Sequence, residues 1–322
     1  MPASETTPAV VATAFGGPEV LSVVDTPIGP PGPGEVRLEV RAAGTNPVDY
    51  KMYSGEFGRD PAQLPMRLGR EAAGVIVAVG DGGAAEGPAG ALRPGDEVVA
   101  NPIDGGYAAE VIVPASSLVP KPSTLSFEEA SGLMVTGATA VHALTVVGVG
   151  GGDTVVIHGG SGGVGLMAVQ LAVAVGARVI ATASTRGHPY LRELGAEPLS
   201  YGDGLLERIR ALTPGGVSAA IDTVGTDEAI DTSVALVAER DRIVTIAAFK
   251  RGFELGLKVI GGAPGADPGT EIRAAARLEL TRRAEAGTLR VLVAGVYPFA
   301  EADAAHTALA TGHTHGKIVL VP

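Results

Sequence analysis

Hydrophobic positions fall in short runs between glycine and proline clusters, and the period of the runs changes along the chain. In the first part, residues 10–14, 35–43, 74–79, 97–100 and 110–113 are rich in β-branched and alternating apolar residues, which predicts strands. Turn clusters such as Gly29-Pro-Pro-Gly-Pro-Gly34 and Arg93-Pro-Gly-Asp96 break them up, as expected of a compact β-rich domain. From Ser126 the pattern becomes helical over 127–144, and strands then alternate with helices. The strands are predicted at 154–158, 177–183, 217–223 and 242–247. The helices are predicted at 164–175, stopped by Gly176, at 188–194, stopped by Gly195, and at 226–238 with acidic residues in the first turn. Asp203 is expected to cap a further helix ending before Pro214-Gly215. Such alternation builds a doubly wound, mostly parallel sheet with helices on both faces. Residues 291–322 read as two short strands around a helix that return to the first domain, and 80–95 as a loose surface loop. The expected fold class is α/β, with one domain from 1–125 and 291–322 and a second from 126–290.

A length of 322 residues accommodates two domains. No apolar run reaches the roughly 18 to 20 residues that span a bilayer. The first ten residues lack the basic and apolar regions of a signal peptide, so the expected location is cytoplasmic, without membrane insertion. With 24 basic and 35 acidic residues the net charge is −11, and no stretch clusters Lys and Arg; a nucleic-acid partner is therefore not expected. The chain has no cysteine, which excludes disulfides, thiol nucleophiles and Cys-based zinc sites. Chemistry is left to a cofactor, or to Asn, Thr, Tyr, Lys, Arg, His and carboxylates.

The strongest local motif is Thr154-Val-Val-Ile-His-Gly-Gly-Ser-Gly-Gly-Val-Gly165. Gly160, Gly162 and Gly165 fill a G-x-G-x-x-G template between a predicted strand and a predicted helix. In that setting one glycine permits a tight turn, one admits a pyrophosphate to the backbone amides, and one lets helix and strand pack closely. Gly160, Ser161, Gly162, Gly163 and Val164 are the candidate cradle, at the positive end of a helix dipole. An NAD site wants an acid at the end of the second strand. Here that strand ends Ala181-Thr-Ala-Ser-Thr-Arg-Gly-His188, without one. Ser184 and Arg186 suit a ribose 2′-phosphate instead, so NADPH is expected over NADH. His188 either assists Arg186 or caps the next helix.

Further motifs cover nearly the whole chain. They are Ala43-Gly-Thr-Asn-Pro-Val-Asp49, Gly69-Arg-Glu-Ala-Ala-Gly74, Arg93-Pro-Gly-Asp-Glu-Val98, Tyr107-Ala-Ala-Glu110, Leu118-Val-Pro-Lys-Pro122 and Leu125-Ser-Phe-Glu-Glu-Ala130. Val135-Thr-Gly-Ala-Thr-Ala140, Asp222-Thr-Val-Gly225 and Thr311-Gly-His-Thr-His-Gly-Lys-Ile-Val319 complete the set. With the glycine loop, they make the chain resemble the medium-chain dehydrogenase/reductase superfamily, in particular its zinc-independent quinone oxidoreductase branch. The resemblance implies a GroES-like catalytic domain built from both chain ends, a Rossmann domain, and a homodimer through the outer Rossmann strand near 255–260.

Where the zinc-dependent branch of that superfamily has metal ligands, this chain has Asn46, Arg70-Glu71 and Gly132, and the four-Cys lobe after Gly80 is missing. Asparagine, arginine and glycine do not supply a tetrahedral zinc site. His306, His313 and His315 are the remaining metal candidates and read instead as solvated surface residues, so no metal is expected. By resemblance, Asn46 lines the nicotinamide and substrate pocket, where its amide is a candidate donor to the acceptor oxygen; composition alone also reads it as an Asx turn before Pro47. Thr136 is implied at the nicotinamide-side ribose, or else bonds its own helix backbone. Tyr201 is implied beside the adenosine 2′-phosphate, or else is a strand tyrosine. Val224 and Ala247 complete the candidate cofactor contacts. In the segment Tyr50-Lys-Met-Tyr53, one of Tyr50, Lys51 and Tyr53 is a candidate to shape the pocket or relay a proton; each also reads as a surface or packing residue.

Without zinc to stabilise an alkoxide, acceptors that spread developing charge are favoured. The expected activity is NADPH-dependent hydride transfer to a quinone-type or other conjugated carbonyl compound. Two alternatives stay open: an enone, alkenal or enoyl-thioester double-bond reductase, and an NADPH-binding protein with little turnover.

Overall fold

The computed structural model describes residues 5–80, 85–312 and 314–322. The chain divides into two compact units, Met1–Val135 with Arg277–Pro322, and Thr136–Ala276.

In the first unit the main sheet runs in the order Leu118–Pro120, Glu97–Ala100, Ala72–Val79, Glu35–Gly44, Lys317–Val321 and Val293–Pro298, and Glu110–Pro114 also pairs with Glu35–Gly44. Alternation along the central strand puts Val36, Leu38 and Val40 in the core and leaves Glu35, Arg37 and Glu39 half-buried. The alternation stops at Ala42, Ala43 and Gly44, which are all buried. Space is short at that end: a Cβ on Gly44 would stand 2.2 Å from the Ser131 carbonyl oxygen. Lys317–Val321 lies antiparallel to the same end, with Val319 opposite Gly44 and Leu320 opposite Ala43. This pairing carries Lys317 to Thr45 and Asn46. A smaller sheet joins Leu21–Pro27, Thr6–Ala12 and Met66–Arg67. The segment read as a loose loop contains a hairpin of Ala85–Gly87 and Gly90–Leu92.

In the second unit the described residues form a six-stranded parallel sheet in the order Glu197–Leu199, Arg178–Thr182, Thr154–His158, Ala219–Asp222, Ile243–Thr245 and Lys258–Val259. The first strand in sequence is interior and the chain winds outward from it on both sides, the doubly wound topology that the alternation predicts. Among the described residues, no helix is long and apolar enough to cross a membrane.

Three local expectations change. Residues 127–144 form two helices, Phe127–Ser131 and Met134–Val146. The break lies where the Glu71 carboxylate takes the N–H groups of Met134 and Val135, which an unbroken helix would aim at the carbonyls four residues back. Helix Leu205–Leu212 is preceded by Gly204 at φ +74°, and that residue rather than Asp203 holds the cap position; a left-handed turn there suits glycine. Helices Pro47–Ser54 and Thr270–Glu285 form where the hydrophobic pattern had suggested none.

Candidate functional site

The candidates fall into two groups, one in each unit. In the second unit the glycine loop leaves strand Thr154–His158 and enters helix Gly163–Ala174. Gly159 has φ +76°, and a Cβ on it would meet Val224 Cγ1 at 2.5 Å. Gly160 donates its N–H to the Thr182 carbonyl at 2.8 Å, and its Cβ would meet Ala181 Cβ at 2.7 Å. A Cβ on Gly165 would lie 2.1 Å from the Gly159 carbonyl oxygen. The protein's own packing therefore demands glycine at these three positions. Gly162 is different: its Cβ would make only an ordinary contact, 3.4 Å from Gly159 O. It is also the N-cap of the helix and makes no side-chain cap, so the first-turn amides around Ser161, Gly163 and Val164 remain suited to an anion. A dinucleotide diphosphate fits this arrangement. Gly159 is the position the glycine template overlooked; a positive φ cannot be read from that spacing.

Parallel sheets bind ligands beyond the carboxyl ends of their strands, and the other candidates of this unit leave the sheet at that edge. Ser184, Arg186 and His188 follow Arg178–Thr182, Tyr201 follows Glu197–Leu199, Val224 follows Ala219–Asp222, and Ala247 follows Ile243–Thr245. Arg186 is exposed and Ser184 half-buried. Tyr201 is 54% exposed and lies outside the strand, while Val224 is 46% exposed. A Cβ on Gly225 would stand 2.9 Å from Ala247 Cβ, so the last two loops are in contact. His188 opens helix His188–Glu193, and its Nε2 donates to the Ala183 carbonyl at 3.3 Å. Thr136 is buried in helix Met134–Val146.

In the first unit Asn46 is 3% exposed and ends up in a polar knot that links three distant segments. Its Nδ2 donates to the Gly44 carbonyl at 3.2 Å and to Glu71 Oε1 at 3.1 Å. Its Oδ1 accepts from Lys317 Nζ at 2.7 Å. Lys317 also donates to the Thr45 carbonyl at 2.7 Å and to Glu71 Oε1 at 3.0 Å. Glu71 Oε2 holds the Val135 and Met134 amides at 2.8 and 3.1 Å. Glu71 is 0% and Lys317 4% exposed, so a buried ion pair fixes Asn46. Both amide protons of Asn46 are already engaged inside the unit, and this corrects the reading of Asn46 as a free donor. The stem of Lys317 passes over Gly132, where a Cβ would stand 2.9 Å from Lys317 Cγ.

Asp49 lies beneath, accepting from the Asn46 backbone N–H at 2.9 Å and from the Tyr107 hydroxyl at 2.8 Å. Burial pushes its carboxyl up to about 6, against the lowering effect of Tyr107, the Asn46 amide and Lys317. Tyr53 is in the core, its hydroxyl 2.9 Å from His306 Nδ1 with the rings stacked at 5.6 Å. His306 is thus buried rather than solvated, and burial brings its pKa down to about 4. Tyr50 packs half-buried against the same core. His315 is half-buried, and His313 lies outside the described residues.

A GroES-like β unit together with a doubly wound parallel-sheet unit defines an oxidoreductase of the alcohol dehydrogenase-like class. Family models agree: residues 32–123 match the alcohol dehydrogenase GroES-like domain, and 163–262 match the zinc-binding dehydrogenase model. A quinone oxidoreductase of Pseudomonas aeruginosa is 34% identical over 96% of this chain and 98% of its own. Among solved structures, a mycobacterial protein complexed with NADPH is 34% identical with a TM-score of 0.83, covering 98% of this chain and 100% of that one. An NAD-dependent alcohol dehydrogenase is 32% identical with a TM-score of 0.83, covering 98% and 99%. The chain belongs to the medium-chain dehydrogenase/reductase superfamily, in its quinone oxidoreductase branch. The zinc of that superfamily's metal-dependent members does not fit here. Of Asn46, Arg70, Glu71 and Gly132, only Glu71 offers a charged ligand, and its oxygens already hold Lys317, Asn46 and two amides.

Proposed function

We propose that the chain is an NADPH-dependent, zinc-independent reductase that acts on quinone-type or other conjugated carbonyl acceptors. The observation that carries this reading is Gly162, open in its Cβ direction at an uncapped helix N-terminus, with Ser184 and Arg186 in place of an acid after the next strand. In this reading the amides of Gly163 and Val164 hold the diphosphate beside Gly162, and the Arg186 guanidinium pairs with the 2′-phosphate. Tyr201, Val224 and Ala247 offer exposed or half-buried apolar surface to the rest of the dinucleotide. The nicotinamide, when bound, supplies the hydride, and the protein orients it. Asn46 is a fixed group within its own unit, held by Glu71 and Lys317. With no metal at Glu71, substrates that delocalise developing negative charge are the ones this chain suits, and solvent can deliver the proton.

Following NADPH absorbance with 1,4-benzoquinone, 9,10-phenanthrenequinone and 2-alkenals tests the proposal. Oxidation is expected with the quinones and unchanged by a zinc chelator. Consumption with alkenals alone assigns the chain to double-bond reduction. Binding without consumption of any acceptor contradicts an enzymatic role.

A further inference from the structure

Four neighbouring strands of the parallel sheet each end in a buried polar residue, and the register aligns the four in one row. His158 stands opposite Thr182 on one side and Asp222 on the other, and Asp222 stands opposite Thr245. Their exposures are 3% for Thr182, 1% for His158, and 0% for Asp222 and Thr245. The interior of these strands is apolar, with Val155, Val156, Ile157, Val179, Ile180, Ile221 and Val244 in the core. Polar groups buried at this depth weaken a fold unless they are hydrogen-bonded, so a row of them calls for an explanation.

The bonds run to the loops that leave the sheet. Thr182 Oγ1 accepts from the Gly159 N–H at 3.2 Å. Asp222 Oδ1 accepts from the Val224 and Gly225 N–H groups at 3.0 and 2.9 Å. Thr245 donates its hydroxyl to Asp222 Oδ2 at 2.7 Å, and its Oγ1 accepts from the Ala248 and Ala247 N–H groups at 2.9 and 3.2 Å. Within the row His158 is held least: its Nδ1 is 3.4 Å from Thr182 Oγ1, and its Nε2 has no hydrogen-bond partner among the described residues. The Asp222–Thr245 pair, by contrast, sets four backbone amides in two successive loops.

We propose that Asp222 and Thr245 are positioning residues for the dinucleotide. They act through the 223–225 and 246–248 loops, whose Val224 and Ala247 they hold at the carboxyl edge, and do not touch the cofactor themselves. This inference rests on the reading of that edge as an NADPH site. Thr245→Val keeps the side chain's shape but removes the hydroxyl, freeing the Ala247 and Ala248 amides and leaving Asp222 Oδ2 only the Gly225 N–H at 3.2 Å; Thr245→Ser keeps the bonds.

NADPH fluorescence titration and thermal melting are measured on the full chain for the wild type and both variants. Thr245→Val is expected to raise the NADPH Kd about tenfold, the equivalent of one hydrogen bond's net contribution, and Thr245→Ser to restore it. Asp222→Asn, measured only if it melts cooperatively, is expected to shift Kd in the same direction. A Thr245→Val protein that melts earlier but binds NADPH as the wild type does would show a purely structural role and overturn the proposal. A wild type that fails to bind NADPH would instead sink the cofactor reading on which it rests.

Discussion

Lys317→Met is expected to lower stability by about 3–5 kcal/mol, the typical effect of stranding one member of a buried ion pair. The 4% exposed ammonium makes three hydrogen bonds, to Thr45 O, Asn46 Oδ1 and Glu71 Oε1. Methionine is close in length and suits an apolar stem over Gly132, so most of the loss comes from leaving the Glu71 carboxylate, 0% exposed, without its cation. The double variant Lys317→Met with Glu71→Gln removes both charges and keeps an oxygen for the Met134 and Val135 amides. It is expected to recover at least half of the loss. Urea denaturation of the wild type, Lys317→Met, Glu71→Gln and the double variant measures this coupling. A loss below ~1 kcal/mol in the single variant, or additive losses in the double, would mean that the pair is not the unit described.

Substitutions at two glycines of one loop are expected to fail in opposite ways. Gly165→Ala puts a methyl 2.1 Å from the Gly159 carbonyl oxygen, so backbone must move. A stability loss of about 3 kcal/mol or more follows, with loss of NADPH binding. Gly162→Ala meets nothing nearer than 3.4 Å, and its φ of −76° is open to alanine. It is expected to cost no more than about 1 kcal/mol of stability, the difference between glycine and alanine at an N-cap. The same methyl points where the diphosphate is proposed to lie, so the NADPH Kd rises at least about tenfold. Melting curves and NADPH titrations of the two variants check the pair. Unchanged affinity in Gly162→Ala would remove the diphosphate from the space beside Gly162.

The features legible in sequence were local ones. Period-two alternation marked Val36, Leu38 and Val40, and the apolar run of Thr154–His158 followed by glycines marked the loop, because each pattern repeats within a few residues. Helix Thr270–Glu285 was invisible for the converse reason: its buried stripe is Ala276, Leu280 and Ala284, only one of them large. Helix Pro47–Ser54 hid because the side chains it buries are Asp49 and Tyr53. The polar knot was beyond a linear reading. Glu71 and Lys317 both lay inside recognised motifs, yet 246 positions separate them, and only the pairing of Lys317–Val321 with Glu35–Gly44 brings them together. A separation of 253 positions hid the burial of His306 against Tyr53. The row from Thr182 to Thr245 was equally out of reach, since strand register is not written in spacing.

In the proposed cofactor site Arg186 takes the place of the usual acid and selects NADPH. Fluorescence titration of the wild type and Arg186→Ala with NADPH and NADH tests it most directly. The wild type is expected to bind NADPH about 10- to 100-fold more tightly than NADH, the range of one or two charge-assisted bonds, and Arg186→Ala to lose that preference while binding NADH as before. Equal or tighter binding of NADH by the wild type would contradict the account.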